Sequence, residues 1–202
     1  MAVVSGFSSA YSRVNCVIRK MIDIESVIQK KAKKLRAIAD GLVGLYPIET
    51  KTVKFNTKIL DHESNPPELV NEFYTWEKVQ KSIFVYYFSV LQDADLEIIQ
   101  KRITDAKKEK LAQRAYPRIN SPSRYLYVGS SREIAKRIKE HLGFGYEKTY
   151  AMNLAFWCND LNLDMDIFCM RYNPTATKEV IQAFEDGLWD HLKPLLGRQG
   201  AR

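Results

Sequence analysis

The sequence predicts an α+β fold: a small three-stranded sheet flanked by helices over residues 82–202, preceded by a mostly helical extension over residues 1–81. Two observations predict it. Three short runs rich in β-branched and aromatic residues, "SIFVYYFSV" (82–90), "RYLYVGSS" (124–131) and "LDMDIFCMRY" (163–172), read as strands, because such side chains pack well on a pleated, buried surface. Between and after them lie stretches with apolar residues at helical spacing, so the C-terminal half runs strand, helix, strand, helix, strand, helix.

Each element follows from local chemistry. Over residues 23–44 apolar side chains fall at Ile24, Val27, Ile28, Leu35, Ile38, Ala39, Leu42 and Val43, the pattern of an amphipathic helix that Gly41 or Gly44 can stop. Lys30, Lys31, Lys33, Lys34 and Arg36 lie around it and read as a solvated helix face ahead of a phosphate-contacting surface. "VKFNTKIL" (53–60) is a candidate strand, and the consecutive prolines of "ESNPPEL" force an extended break before a short helix over residues 69–76. A module boundary is placed near residue 81.

The run at 82–90 is expected to be buried on both faces. A charged helix over residues 93–114 follows and ends before Tyr116-Pro117. In the second strand Tyr125 and Tyr127 are expected to share one face and Leu126 and Val128 the other. Gly129 lets the chain turn, Ser131 is a plausible N-cap, and Ile134, Ile138 and Leu142 mark a helix over 132–142 that ends at Gly143, with Arg137 and His141 on one face. The last helix, "TATKEVIQAFEDGLWDHLKPLLG", stops near Pro194. Its core face is Val180, Ile181, Phe184, Leu188, Leu192 and Leu195; Glu185 lies beside that face, and Asp186 reads as the solvated neighbour.

Composition narrows the function classes. With 202 residues and 46% apolar content, the chain is long enough to bury a sizeable core. A formal charge of +7 and a pI near 9.2 point towards a polyanionic partner without identifying one. Cys16, Cys158 and Cys169 are odd in number and lack C-x2-C spacing, which argues against a disulfide framework and a thiolate zinc site. The first twenty residues lack a continuous apolar segment of secretory length, and no run is long enough for a membrane helix, so the expected location is cytoplasmic with no membrane partner.

Residues 86–185 supply tyrosines on strands, an arginine and a histidine on one helix face, and a carboxylate on the last helix. That set suits phosphodiester hydrolysis, which needs a base for water, a cation for the equatorial oxygens and help for the leaving oxygen. Four segments in order resemble the GIY-YIG nuclease family: "FVY" (84–86) stands at its first motif and "YVG" (127–129) at its second. In "AKRIKEH", Arg137 and His141 occupy the family's arginine followed four residues later by histidine or tyrosine, and in "FEDGLWDHLKPLLG" Glu185 takes the place of its metal-binding glutamate. Phe84 replaces the first glycine, Tyr86 or the adjacent Tyr87 could be the functional tyrosine, and Gly197 stands where the family frequently has asparagine.

The resemblance implies a mainly antiparallel sheet and a DNA endonuclease using one divalent cation, Mg2+ or another such as Mn2+, bound through Glu185. His141 or Tyr86 would take the proton from water, with His141 the slightly better candidate on its ordinary pKa near 6.5. Tyr127 would orient the water or share the network, and Arg137 would steady the scissile phosphate. A helical insertion at about 91–122, with Lys101, Arg102, Lys107, Lys108, Lys110 and Arg114, is a candidate substrate-binding element. The first biological expectation is a sequence-specific restriction endonuclease; cutting both strands with one metal site per chain favours two chains, hence a homodimer. The alternatives are a repair or mobile-element nuclease that reads DNA structure, and a nucleic-acid-binding module that kept this fold without the reaction.

Overall fold

The computed structural model describes residues 23–78, 81–91 and 95–200, and the chain divides into two units, residues 1–37 and 38–202. Cys16 and the N-terminal segment lie outside the described residues, as do positions 93 and 94, where the helix after the first expected strand should begin. The elements run α1 (Ile24–Val43), β1 (Glu49–Asn56), α2 (Leu69–Lys78), β2 (Ile83–Val90), α3 (Leu96–Lys108), β3 (Tyr125–Ser131), α4 (Ile134–Leu142), β4 (Asp164–Tyr172) and α5 (Lys178–Leu192). Helix α1 buries none of its residues. Among the described residues no helix is long and apolar enough to cross a membrane.

The fold is α+β, and its antiparallel sheet has four strands in the order β1-β4-β2-β3, where three were expected. The fourth is β1. Its side chains alternate, Val53 and Phe55 inward and Lys54 outward, and it pairs with β4 from Glu49 opposite Arg171 to Asn56 opposite Asp164. Residues expected to belong to an extension are thus hydrogen-bonded into the same sheet. The strand lies earlier than 53–60 because the Asn56 side chain accepts from Lys58 N and starts a 3-10 turn, Thr57–Ile59.

Strand β2 has neighbours on both sides and is buried along almost its whole length. One sheet face packs on Phe73 and Trp76 of α2, Ile99 and Ile103 of α3, and Ile134, Ile138 and Leu142 of α4. The other packs Val85, Met170 and Tyr172 on Ile181, Phe184 and Leu188 of α5. Strand β3 is an edge, and its pairing with β2 slips: Phe88 faces Tyr127, but Ser89 faces Tyr125. This bulge absorbs Leu126 as an extra residue and puts Tyr125 and Tyr127 on opposite faces, against the simple alternation expected. Tyr125 then meets the ring of Tyr87 at 5.7 Å, while Tyr127 stacks on Tyr86 at 6.3 Å.

Helix α4 starts two residues later than expected. Ser131 Oγ accepts from Glu133 N, within the turn, and the backbone N–H of Ala135 donates to Glu77 Oε2 of α2 at 3.0 Å. The helix's open N-terminal donor is therefore capped by another element. Gly143 ends the helix at φ +111°, as its left-handed geometry requires. Thr177 caps α5 through its hydroxyl, and Lys193 in the left-handed region followed by Pro194 stops it.

Candidate active site

Tyr86 sits on the central strand opposite Gly129 of β3, and Tyr127 lies two residues before that glycine on the same face. The glycine makes the cluster possible: a Cβ at Gly129 would meet the Tyr127 ring at 2.8 Å and the Tyr86 hydroxyl at 2.9 Å. Helix α4 lays His141 and Arg137 over these rings. His141 is fully buried, its ring 4.3 Å from that of Tyr127, and its Nε2 lies 3.0 Å from Tyr86 Oη. Its Nδ1 accepts the backbone N–H of Met152 at 3.3 Å. In the neutral ring that acceptor role puts the proton on Nε2, so His141 donates to Tyr86.

Arg137 donates through Nη2 to Tyr127 Oη at 3.3 Å and to the carbonyl of Tyr150 at 3.0 Å, and through Nη1 to Glu140 at 2.8 Å. The Arg137–Glu140 pair is largely shielded from water. Burial works against the guanidinium charge, but Tyr86, Tyr127 and Glu140 outweigh it and hold Arg137 above the ordinary arginine value. Burial pushes the Tyr86 phenol up from its ordinary value; Arg137 opposes this, while Tyr127 and Glu185 add to it.

Helix α5 passes the β3 edge and completes the arrangement. Tyr86, Tyr127, Gly129, Arg137, Lys178, Gln182 and Glu185 are among the residues that line one cavity of about 180 Å³. No family model, curated protein or solved structure matches the chain.

All five expected residues converge: four line the cavity, and His141 stands directly behind Tyr86. Tyr87 does not join them; it points to the opposite sheet face and stacks on Phe168 at 5.1 Å. Asp186, expected to be solvated, is half-buried and accepts from Gln182 and from the backbone of Gly200. Glu140, Gln182, Tyr150 and Met152 escaped the sequence reading. Glu140 had a local signal in its spacing of three from Arg137, submerged in the charged run "KRIKE". Tyr150 and Met152 had none, because a loop carries them to the site.

Among the described residues no group of three or more His, Cys, Asp and Glu side chains converges on a metal position. The cavity does offer oxygen donors, the Glu185 carboxylate with tyrosine hydroxyls and the Gln182 amide. Such a set fits a hard cation that keeps most of its water, Mg2+ or Mn2+, and does not fit zinc.

Proposed function

We propose that the protein is a metal-dependent DNA endonuclease of the GIY-YIG type, acting as a sequence-specific restriction enzyme. The observation that carries this reading is one cavity in which two tyrosine hydroxyls, a guanidinium and a carboxylate from four separate elements face a volume suited to a phosphate. The net charge of +7 is that of a chain drawn to a polyanion.

In this mechanism Tyr86 is the group that meets the attacking water. His141 is buried with both ring nitrogens engaged, so it acts through Tyr86. Its Nε2–H and the nearby Arg137 charge favour the phenolate against the burial that raises the phenol's pKa. Arg137, held by Glu140 and the Tyr150 carbonyl, keeps further N–H donors for the equatorial phosphate oxygens. Tyr127, fixed by Arg137, orients the water. Glu185 would hold Mg2+ or Mn2+, whose charge would stabilise the negative oxygens of the phosphate under attack.

The test is cleavage of plasmid and random-pool DNA by the purified chain with Mg2+. Glu185→Ala and Arg137→Ala should each lower the rate at least about 100-fold with folding retained. Cleavage surviving both changes would sink the site assignment. Product ends sharing one recurring motif support restriction, whereas cuts clustered at flaps or lesions transfer the reading to repair.

A further inference from the structure

Beside the site lies a second, larger cavity of about 340 Å³, lined by Pro117, Arg118, Tyr127, Tyr150, Gly197 and Arg198. Tyr127 borders both cavities, so they adjoin across one ring. Within the reading of the first as a nuclease site, we propose that the second holds the DNA nucleotide next to the scissile phosphate, with Arg118 and Arg198 on the phosphate that flanks it.

The walls are built by long-range pairing. Gly197 N donates to the carbonyl of Arg118 at 2.8 Å, Asn120 N to Leu195 at 2.7 Å, and the Asn120 amide to the carbonyls of Pro194 and Gly197 at 3.0 and 3.1 Å. Leu195 N and Leu196 N donate in turn to Tyr125 and Leu126 of β3. Residues from the insertion and from the chain after α5 are thereby stitched to the strand that carries Tyr127, and each brings one arginine to the rim.

Charge decides what the cavity takes. Both arginine side chains are exposed, and among the described residues neither forms an ion pair or side-chain hydrogen bond and no carboxylate lines the cavity. Two unneutralised guanidinium groups around one opening select an anion, and phosphate matches their planar donor fork. Tyr150, 67% exposed, offers a face on which a sugar or base can lie, and its carbonyl accepts from Arg137, which ties this wall to the first cavity. Gly197, at φ +103°, has no side chain to narrow the opening; a Cβ there would approach the Tyr127 ring to 3.4 Å. The volume suits one nucleotide-sized group.

The experiment uses the full chain. Wild-type cleavage of a labelled duplex locates the scissile phosphate, and anisotropy in EDTA then measures binding to duplexes with single methylphosphonates walked along each strand. Neutralising the flanking phosphate should weaken wild-type binding and leave Arg118→Ala/Arg198→Ala unaffected. The slope of log affinity against log salt should fall by about 0.9 per lost phosphate contact in magnitude, and Arg118→Lys/Arg198→Lys should recover most of it. In single-turnover cleavage the alanine variant's half-saturation should move to higher DNA concentration. Wild-type cleavage with identical phosphate walks and salt slopes in the alanine variant overturns the flanking subsite alone. A wild type that neither binds nor cuts DNA overturns the nuclease reading and this subsite together.

Discussion

Gly129 shows how one residue sets the spacing of a site. Because a Cβ there would press on both tyrosines, Gly129→Ala should displace the Tyr86 hydroxyl and lower single-turnover cleavage about 100-fold, with a melting temperature only modestly reduced. Unchanged cleavage would mean that the Tyr86–Tyr127 spacing does not matter. Tyr86 also sets the expected pH profile. Its phenol is raised by burial, so it is protonated at neutral pH and its ionised fraction grows about tenfold per pH unit. The logarithm of the cleavage rate should rise with a slope near 1 from pH 7 to 9. A plateau from about pH 7 would instead assign the base to a histidine of ordinary pKa. The sequence left Tyr86 and Tyr87 open because adjacent strand residues differ only in the face they take. Pairing on both sides of β2 decides it, sending Tyr86 to the cavity and Tyr87 to Phe168.

At the scale of elements, helix α4 carries Arg137 and His141 but starts on a carboxylate from α2. Glu77→Ala removes the acceptor of Ala135 N and should cost about 1 kcal/mol in urea unfolding, with Glu77→Gln costing less. No change in midpoint would show that water replaces the cap fully. Helix α3 in the insertion has a structural share as well: Ile99, Ile103 and Ala106 enter the core. Three of its basic neighbours are engaged internally, Arg102 with Asp160, Lys107 with the carbonyl of Pro117, and Arg114 with Gly145 and Asn153. Lys101, Lys108 and Lys110 remain exposed. Periodicity located α1, α4 and α5 well because an apolar stripe is a property of the helix itself. It could not show that α4 is capped from α2, since the two partners are far apart in the chain.

For the whole molecule, buried phenols and thiols give stability a direction with pH. Burial pushes Tyr116 and Tyr172 from 10.0 up to about 12, and it raises Cys158 and Cys169 above their ordinary 9.0. Above pH 9 the unfolded chain therefore loses protons that the folded chain keeps, so it binds fewer, and the unfolding free energy falls as pH rises. Urea midpoints should be level near neutrality and decline steadily from about pH 9 upward. A midpoint that holds to pH 11 would show that these groups ionise in the fold without cost. The sheet itself was only partly legible. The three C-terminal strands carry dense apolar runs, whereas β1, "ETKTVKFN", is an edge with one wet face, and little in its composition marks it.

By itself the sequence determined the fold class, the order of most elements and the residue types that converge, because hydrophobic periodicity and strand-forming composition are local properties. It also supplied the glycine that two tyrosines require. Only the tertiary structure decided which tyrosine faces the cavity, that His141 spends its Nδ1 on Met152 and its Nε2 on Tyr86, and that β1 completes the sheet. Strand register, a bulge that reverses one residue's face and a loop carried to a distant helix arise from pairing between remote segments, and no window along the chain contains both partners.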